Sequence, residues 1–344
     1  MNRNVVLLVI WVAFLFSGCQ KEKEIIEERP ENTSRGVLVA NEGNFNWGNA
    51  SLSFIDPDHK EIYNSVYKQK NGKLLGDVLQ SVYVYGEDAF LVVNNSGKIV
   101  RISLKDFKEK TVYGSFTSPR YMYVYKGKAF VSDLYAGCIR VFGVDGKPIA
   151  HGTIKVSGWT EEMDANKNRL YVAGVNANKL YVVDMDNEML VDSMITDDAP
   201  ASVKIDKDGF VWVYCGDYQS NNYVLEKINP ETKQVITKII LPSGAGTYAT
   251  KMAMNKEKDG IWFIYNGIKY LSVYDSTYNS FANAAYFETP YGIGVAPDGN
   301  VYVADAGNYT SEGKILVFDP NRMLVTTYRA GIIPGNFAFF NLYE

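Results

Sequence analysis

The chain has 344 residues, of which 22% are charged, and its formal net charge is −4 at pH 7. A mildly acidic sequence without a basic stripe excludes nucleic acid as an expected partner. With three cysteines, two histidines and no CxxC pair, the sequence offers no zinc motif and no thiol redox motif.

The first 18 residues are predicted to be a signal peptide. Arg3 precedes an apolar run over residues 5–16, which is too short to span a bilayer and suits the hydrophobic part of a secretion signal. Ser17 and Gly18 come directly before Cys19, an arrangement similar to a bacterial lipobox. We therefore expect Cys19 to be the lipidated first residue of the mature protein. An ordinary signal peptide cut nearby is the alternative.

Residues 19–35 are expected to form a flexible tether between the lipid and a folded domain. A polar, charged segment of this kind cannot build a core. Its acidic residues are Glu22, Glu24, Glu27, Glu28 and Glu31. Residues 19–22 are similar to the surface-export signal of Bacteroidota lipoproteins, so we expect an outer-membrane lipoprotein exposed at the cell surface. A linker without a sorting signal is the alternative.

From residue 79 onward, a unit of about forty residues recurs six times, a period typical of four-stranded propeller blades. The units begin at residues 79, 119, 159, 200, 249 and 290. Each contains short runs rich in Val, Ile, Tyr and Phe, and turns such as Asp208-Gly209 and Asp298-Gly299 separate them. Because one blade cannot bury both of its faces, the units are expected to stack into a ring.

Residues 36–344 are predicted to form one all-β domain, a single seven-bladed β-propeller. Upstream of the six units, runs at residues 37–40, 51–55 and 61–67 provide only three strands. A run at residues 336–340 provides the fourth, so that a C-terminal strand completes the first blade and closes the ring. No helix is expected in this domain. Rings of six or eight blades are the alternatives.

Loops between blades, and loops between second and third strands, are expected to meet at one mouth of the channel, where sites on such folds usually lie. This mouth is rich in aromatic side chains, which give large contact area, and in amides, which both donate and accept. It suits a large neutral organic ligand with a polar rim, or a protein loop. The candidate ligand-binding residues are Asn44, Phe45, Trp47, Asn94, Asn95, Arg120, Asp133, Tyr135, Trp159, Glu161, Asn176, Tyr218, Tyr248, Tyr291, Asp305 and Tyr309.

Structural roles compete with binding at several of these positions. The sequence has 25 tyrosines, so some aromatic residues lie at the mouth by chance. Arg120 and Glu161 could polarise a substrate, but an interblade salt bridge is the favoured interpretation. Asp305 could accept from a ligand or tie down its own loop. The carboxylates that end third strands are expected to cap turns, namely Asp56, Asp184, Asp275 and Asp319.

Catalysis is not expected. By the predicted register, His59 falls before the outer strand of blade 1 and His151 within the outer strand of blade 3, both far from the mouth. A histidine–metal centre or a Ser-His-Asp arrangement is therefore poorly supported, and no cofactor is expected. Cys138 and Cys215 fall in blades 3 and 5, which do not touch in a ring of seven, so no disulfide is predicted between them.

Seven segments carry a resemblance to a known family: NEGNF (41–45), SLS (51–53), DVLQS (77–81), VVNNSGK (92–98), SPRY (118–121), DLY (133–135) and GWTE (158–161). They resemble the YncE-type propeller lipoproteins of Bacteroidota and, within them, the vitamin-B12-capture (BtuG-like) group. The resemblance covers nearly the whole mature chain. It implies a protein that binds a nutrient, most simply a cobamide, and passes it to a TonB-dependent outer-membrane transporter.

Three functions remain open at this stage. The first is non-enzymatic capture of a ligand at the cell surface, with a cobamide as the leading ligand and siderophores or haem as others. The second is a protein–protein scaffold, since propellers often present flat faces to partners. The third is an NHL-type lyase or hydrolase, because residues 291–303 resemble NHL repeats. The His and acidic metal ligands of those enzymes have no counterpart in this sequence.

Overall fold

Seven four-stranded antiparallel sheets form the blades of a β-propeller. The computed structural model describes residues 34–145, 149–216, 222–242 and 249–342. The strands of each blade lie in order from the central channel outward, and the innermost strand of each blade lines the channel. The predicted seven-bladed all-β fold is therefore confirmed.

Blade 1 contains β1 (Arg35–Asn41), β2 (Ser51–Asp56) and β3 (Glu61–Tyr63), with β28 (Pro334–Asn341) as its inner strand. Blade 2 consists of β4 (Leu79–Tyr85), β5 (Asp88–Val93), β6 (Lys98–Ser103) and β7 (Glu109–Tyr113). Blade 3 consists of β8 (Pro119–Tyr125), β9 (Lys128–Asp133), β10 (Cys138–Gly143) and β11 (Thr153–Lys155). Blade 4 consists of β12 (Thr160–Asn166), β13 (Arg169–Gly174), β14 (Lys179–Asp184) and β15 (Met189–Ile195).

Blade 5 consists of β16 (Pro200–Ile205), β17 (Val211–Cys215), β18 (Tyr223–Ile228) and β19 (Val235–Leu241). Blade 6 consists of β20 (Met252–Met254), β21 (Gly260–Ile264), β22 (Ile268–Ser272) and β23 (Asn279–Ala282). Blade 7 consists of β24 (Pro290–Val295), β25 (Val301–Asp305), β26 (Glu312–Phe318) and β27 (Leu324–Ile332).

The ring is closed by pairing between the two ends of the domain. β28 runs antiparallel to β1, with Leu38 opposite Ala338 and Val39 opposite Phe337. The predicted run at residues 336–340 is thus the central part of a longer strand, and its role as the inner strand of blade 1 is confirmed. The pairing gives β1 a partner on each side, β28 and β2, so that no open sheet edge is left at the seam.

The predicted strand at residues 61–67 is confirmed for Glu61–Tyr63 only, and the prediction that the domain has no helix was wrong. After β3 the chain forms the helix α1 (Val66–Asn71), and two 3₁₀ turns lie at Val175–Ala177 and Ala284–Tyr286. Tyr67 of α1 is buried, and its hydroxyl donates to Glu109 on β7. The apolar residues that suggested a strand therefore pack on the next blade as a helix, because tertiary contacts outweigh local β propensity.

The hydrophobic core is divided among the interfaces between neighbouring blades. Between blades 1 and 2, the ring centroid of Phe54 lies 5.3 Å from that of Phe107. Within blade 1, Phe340 of β28 packs on the same ring at 6.0 Å. Between blades 5 and 6, Tyr214 packs edge to face on Phe263 at 5.7 Å. Because each cluster is built from two blades, a single blade cannot keep its apolar faces away from water.

The inner strands present an unpaired edge to the channel, and side chains of neighbouring blades bind N–H groups along it. On β12, Glu162 and Asp164 accept hydrogen bonds from backbone N–H groups of β16 at 3.1 and 2.8 Å. On β28, Asn336 accepts one from β4 at 3.0 Å. These contacts satisfy backbone donors that no strand pairs with, and they also join adjacent blades.

Several local predictions are confirmed. Asp56, Asp184 and Asp319 each accept a hydrogen bond from a backbone N–H two to four residues further along the chain, so they cap the turns after their strands. Cys138 and Cys215 are buried and form no disulfide.

The predicted signal peptide, the lipidation site Cys19 and all but the last two residues of the tether lie outside the described residues. Within the ranges that are described, no helix is both long enough and apolar enough to cross a membrane.

Replacement of Phe340 by alanine tests the seam of the ring. Phe340 is 7% exposed and packs on Phe54, so Phe340→Ala is expected to lower the free energy of unfolding by about 3–5 kcal/mol. The control is Met323→Ala, at a side chain 66% exposed, with an expected change within about 0.5 kcal/mol. Urea denaturation measures both, as a shift in midpoint at unchanged slope. Equally small effects would show that the seam does not limit stability.

Candidate functional site at the mouth of the channel

The mouth is the end of the channel at which the inner strands begin. Because strands alternate in direction within each blade, the loops between blades and those between second and third strands all lie at this end. They carry the candidate ligand-binding residues, except that Tyr218 and Tyr248 lie outside the described residues. His59 and His151 lie in loops between third and fourth strands, at the opposite face, although His151 precedes β11 and is not part of it.

Among the described residues, five large aromatic side chains at the mouth are exposed. Tyr286 lies in the loop between blades 6 and 7, and we call the other four the aromatic rim. In the loop between β1 and β2, Phe45 and Trp47 are 65% and 77% exposed, and Tyr135 and Trp159 are 60% and 45% exposed. Tyr135 of blade 3 and Trp159, which precedes blade 4, contact each other edge to face, with ring centroids 5.5 Å apart. Clustered exposed aromatic surface is typical of a binding site.

Hydrogen bonds fix the loop that carries Phe45 and Trp47. The backbone N–H of Asn44 donates to Oδ1 of Asn49 at 2.7 Å. The Asn44 side chain donates to the carbonyl of Tyr309 in blade 7 at 2.8 Å, which ties the loop to the neighbouring blade. Asn44 and Tyr309 therefore shape the mouth; direct contact with a ligand stays a prediction for both.

A second set of hydrogen bonds ties the same loop to blade 2. The N–H of Asn46 donates to Oδ2 of Asp77 at 2.8 Å. The side chain of Asn95 donates both to Asp77 at 2.6 Å and to Oδ1 of Asn46 at 2.9 Å. The loop is thus held from both sides, by blades 7 and 2.

The backbone at Trp159 is also fixed. Its N–H donates to Oδ1 of Asn176 at 2.7 Å. Gly158 before it has φ +80°, and a Cβ at this position would lie 2.1 Å from the same oxygen, so only glycine fits. The main chain of Trp159 is therefore held close to Asn176 while nearly half of the indole surface remains exposed.

Three of the candidate polar residues are buried and bonded within the fold. Asp133 accepts two backbone N–H groups of the preceding interblade loop at 2.9 and 2.6 Å. Asp305 accepts three backbone N–H groups at 2.9, 2.7 and 3.1 Å, one of them from its own loop. Asn94 donates to Ser118 and to the carbonyl of Pro119. These side chains hold the mouth loops in place, which for Asp305 agrees with the structural alternative drawn from the sequence.

A recurring irregularity shapes the inner end of the mouth. In six blades, the ladder between the innermost strand and its neighbour shifts register within the first four residues of the innermost strand. Bulges of this kind re-aim side chains. At the start of β8 they bring the adjacent residues Arg120 and Tyr121 to the channel, and at the start of β12 they bring Glu161 and Glu162.

Five residues form a connected polar belt across the mouth. Nη2 of Arg120 lies 2.8 Å from Oε1 of Glu161, and Nη1 of Arg120 donates to Gln80. Gln80 donates to Glu42 at 3.4 Å, and the Tyr291 hydroxyl donates to the same carboxylate at 3.3 Å. The members come from five successive blades, 7, 1, 2, 3 and 4. The expected interblade pair of Arg120 and Glu161 is therefore present, as part of a larger network.

Burial sets the protonation of the polar belt. It raises the pKa of Glu42, an effect that the nearby Arg120 and Lys251 only partly oppose. Burial by itself would lower the pKa of Arg120, but the adjacent Glu161 outweighs it and the pKa of Arg120 is raised. The belt thus keeps Arg120 charged and holds a proton on Glu42 to higher pH than on a free glutamate.

Below the polar belt, the seven inner strands enclose a cavity of about 390 Å³. Glu162 forms an ion pair with Lys204, and Lys251 donates to the hydroxyl of Tyr121. None of these four residues, nor Glu42, is among the candidates from the sequence, which come from the mouth loops and from the first residues of the blades. Their position in the repeat could have identified two of them, because Tyr121 and Glu162 are each the third residue of an inner strand.

The mouth therefore offers two different chemistries. Its outer surface provides aromatic faces among amides, whereas its inner part provides enclosed charges and hydroxyl groups. In the part of the chain that the structure describes, no group of three or more His, Cys, Asp or Glu side chains could hold a metal ion. Binding of an organic ligand is the activity that these groups support most directly.

The pairing of Arg120 with Glu161 can be tested by stability. Their side chains are 20% and 15% exposed, so Arg120→Met leaves Glu161 without its partner and is expected to lower the free energy of unfolding by about 3 kcal/mol. Adding Glu161→Gln is expected to recover most of this loss. A double-mutant cycle in urea measures the coupling. Additive losses in the double variant would contradict the pairing.

The raised pKa of Glu42 has a consequence for stability against pH. The folded protein keeps a proton on Glu42 at pH values where the unfolded chain, with its ordinary value of 4.5, has lost it. Binding of this proton therefore adds to the free energy of unfolding. The contribution is fully present below pH 4.5 and is lost as the pH rises through the raised pKa of Glu42. Glu42→Gln cannot titrate, so the wild type should lose stability relative to this variant between about pH 4 and 8. Urea denaturation across this range checks it, and a constant difference would disprove it.

Solved structures similar to this chain share the propeller fold at low sequence identity. A protein from Lactobacillus plantarum is 14% identical, the match covers 89% of this chain and 99% of that one, and the TM-score is 0.69. A protein from Bacteroides fragilis, provisionally named a 6-phosphogluconolactonase, is 12% identical, with 91% and 100% covered and a TM-score of 0.68. A quinoprotein alcohol dehydrogenase-like protein from Bacteroides thetaiotaomicron is 16% identical, with 89% and 78% covered and a TM-score of 0.65.

Likeness at these identities shows the fold alone. No curated protein matches the sequence. A family model described as domain of unknown function (DUF5074) matches residues 35–262, which is more than half of the chain. The chain therefore belongs to the DUF5074 family.

Proposed function

We propose that this protein captures a large organic ligand at the mouth of its propeller and does so without catalysis. The observation that carries the proposal is the aromatic rim, in which Phe45, Trp47, Tyr135 and Trp159 are all exposed. Exposed apolar surface costs about 25 cal/mol per Å², so a ligand that covers the rim gains this free energy on binding. The aromatic rings also offer flat faces for stacking.

The order of the mouth loops supports the same proposal. Blades 7 and 2 hold the loop of Phe45 and Trp47 through Asn44 and Asn95, and Asn176 holds the backbone of Trp159. A surface that is already ordered loses less conformational entropy when a ligand binds. Polar residues thus position the rim, and the aromatic residues make the contact.

A cobamide is the ligand that we propose first. It combines a wide, flat macrocycle with amide-bearing side arms, and the mouth combines exposed aromatic faces with asparagine side chains. The resemblance of segments such as NEGNF (41–45) and GWTE (158–161) to vitamin-B12-capture propellers supports this choice. The same resemblance supports transfer of the ligand to a TonB-dependent outer-membrane transporter.

The direction of β1 fits attachment through the N-terminus. β1 begins with Arg35 at the face opposite the mouth and ends with Asn41 at the mouth. A lipid on Cys19 at the cell surface, as the sequence predicts, would therefore join the domain on the side away from the ligand. This arrangement leaves the mouth loops open to a ligand.

The places of the histidines support a function without catalysis. His59 and His151 are the only two histidines of the sequence, and both lie at the face opposite the mouth. Neither can act as a base on a ligand bound at the aromatic rim, because general-base catalysis needs hydrogen-bonding distance.

A surface scaffold is the second candidate, and the outer strands of blades 4 and 5 favour it. Apolar side chains are exposed on these neighbouring edge strands, at Met189, Leu190, Val191 and Ile195 of β15 and at Val235, Ile236 and Ile240 of β19. Exposed apolar edge strands are frequent sites of protein association. A scaffold would use this lateral surface and would not need the mouth.

Calorimetric titration of the mature protein with cobalamin tests the first proposal. If the aromatic rim holds the ligand, Trp47→Ala and Trp159→Ala should each weaken binding by about 2–4 kcal/mol, or roughly 30- to 1000-fold. Thermal melting should change little for Trp47→Ala, because this side chain is 77% exposed. A modest decrease is expected for Trp159→Ala, because Trp159 is 45% exposed and packs on Tyr135.

A matched control comes from the opposite face, where Tyr274 is 61% exposed in the loop after β22. Tyr274→Ala should leave binding unchanged, whereas Tyr135→Ala should weaken it. No binding of cobalamin at micromolar concentration would reject the cobamide. Co-purification of a membrane partner that is lost on charged substitution at Ile195 and Ile240, without any bound small molecule, would favour the scaffold.

A further inference from the structure

We propose that the cavity below the polar belt is a second binding site, which takes a small oxyanion, a carboxylate or a phosphate, between Lys251 and Tyr121. This site is separate from the aromatic rim. The two sites use different residues and different chemistry, so the second site does not depend on which ligand binds at the rim.

Lys251 is one of the charged groups that line the cavity. Its ammonium donates to the hydroxyl of Tyr121 and stacks over the same ring, with Nζ 4.8 Å from the ring centroid. No carboxylate among the described residues forms an ion pair with it. Glu161 and Glu162 act on it electrostatically, but Glu161 pairs with Arg120 and Glu162 pairs with Lys204.

The charges that line the cavity also favour an anion. The lining contains three lysines, Lys204, Lys251 and Lys258, against two carboxylates, Glu162 and Asp164. The carboxylate of Asp164 accepts backbone hydrogen bonds at 2.8 Å and is used by the fold. Among these lining groups the lysines therefore exceed the carboxylates by one.

Two neutral hydrogen-bond donors also line the cavity. Because Lys251 donates to the Tyr121 oxygen, the hydrogen of that hydroxyl remains available to an anion. Asn336 lines the cavity too, and its Oδ1 accepts a backbone N–H, which leaves its amide hydrogens as donors. An ammonium, a hydroxyl and an amide are a typical donor set for carboxylate or phosphate.

The size of the cavity limits the ligand. Ligand pockets commonly have volumes of about 300–1,000 Å³, and about 390 Å³ lies at the lower end. A small acid or phosphate fits this space, whereas a cobamide does not. The polar belt lies between the cavity and the rim, so an occupant would enter the channel past Arg120 and Gln80 or from the opposite face.

Titration with inorganic phosphate and, separately, with succinate tests the proposal on the mature protein. At least one probe should bind with a dissociation constant below about 10 mM. Lys251→Met should weaken that binding about ten-fold or more, because it removes a charge-assisted hydrogen bond. Lys251→Arg keeps the charge and should retain most of the affinity. Tyr121→Phe should weaken binding several-fold.

Two controls locate the site. Lys126→Met removes an exposed lysine that pairs with Asp186 outside the cavity, and it should leave binding unchanged. Trp47→Ala should also bind the probe like the wild type, because the aromatic rim is a separate surface. The proposal is overturned if neither probe binds the wild type, if Lys251→Met binds equally well, or if Lys126→Met weakens binding as much as Lys251→Met. Thermal melting of each variant shows that a loss of binding is not a loss of folding.

Discussion

The pairing of β1 with β28 is the contact on which the rest of the structure depends. Every hydrophobic cluster lies between two blades, so the blades keep their apolar faces buried only while the ring is closed. No extra strand is needed for closure, because β28 is the inner strand of the blade that β1, β2 and β3 form. The position of each mouth loop, and hence of the aromatic rim, follows from this closure.

A second constraint is the unpaired edge of seven inner strands around one channel. Such an edge is a hazard in most β proteins. In this protein polar side chains from adjacent blades bind the edge, through Glu162, Asp164 and Asn336. The same need for polar groups explains why a channel in an otherwise apolar fold is lined by charges. Bulges at the start of β8 and β12 then bring Arg120 and Tyr121, and Glu161 and Glu162, to the channel, where they contribute to the polar belt and to the groups below it.

Six complete repeats, with three strands before them and one strand after them, were enough to predict seven blades and the closing strand. They were not enough for α1, since the apolar residues 66 and 67 suit a strand locally and only the neighbouring blade makes them helical. The exposed rim could be predicted from loop positions. Lys251 and Glu42 could not, because their importance lies in partners from other blades that are 130 and 249 residues away in sequence.

Because β1 and β28 are paired, the two ends of the domain lie next to each other in the ring. The N–H of Leu342 donates to the carbonyl of Ser34 at 2.7 Å, so the two ends of the domain leave the fold side by side. A short peptide could join them, and the chain could then be opened in any exposed loop between blades without removing a single strand. For such a molecule the first blade has no special status. The present termini are one of several equivalent places at which a gene encoding this ring could begin.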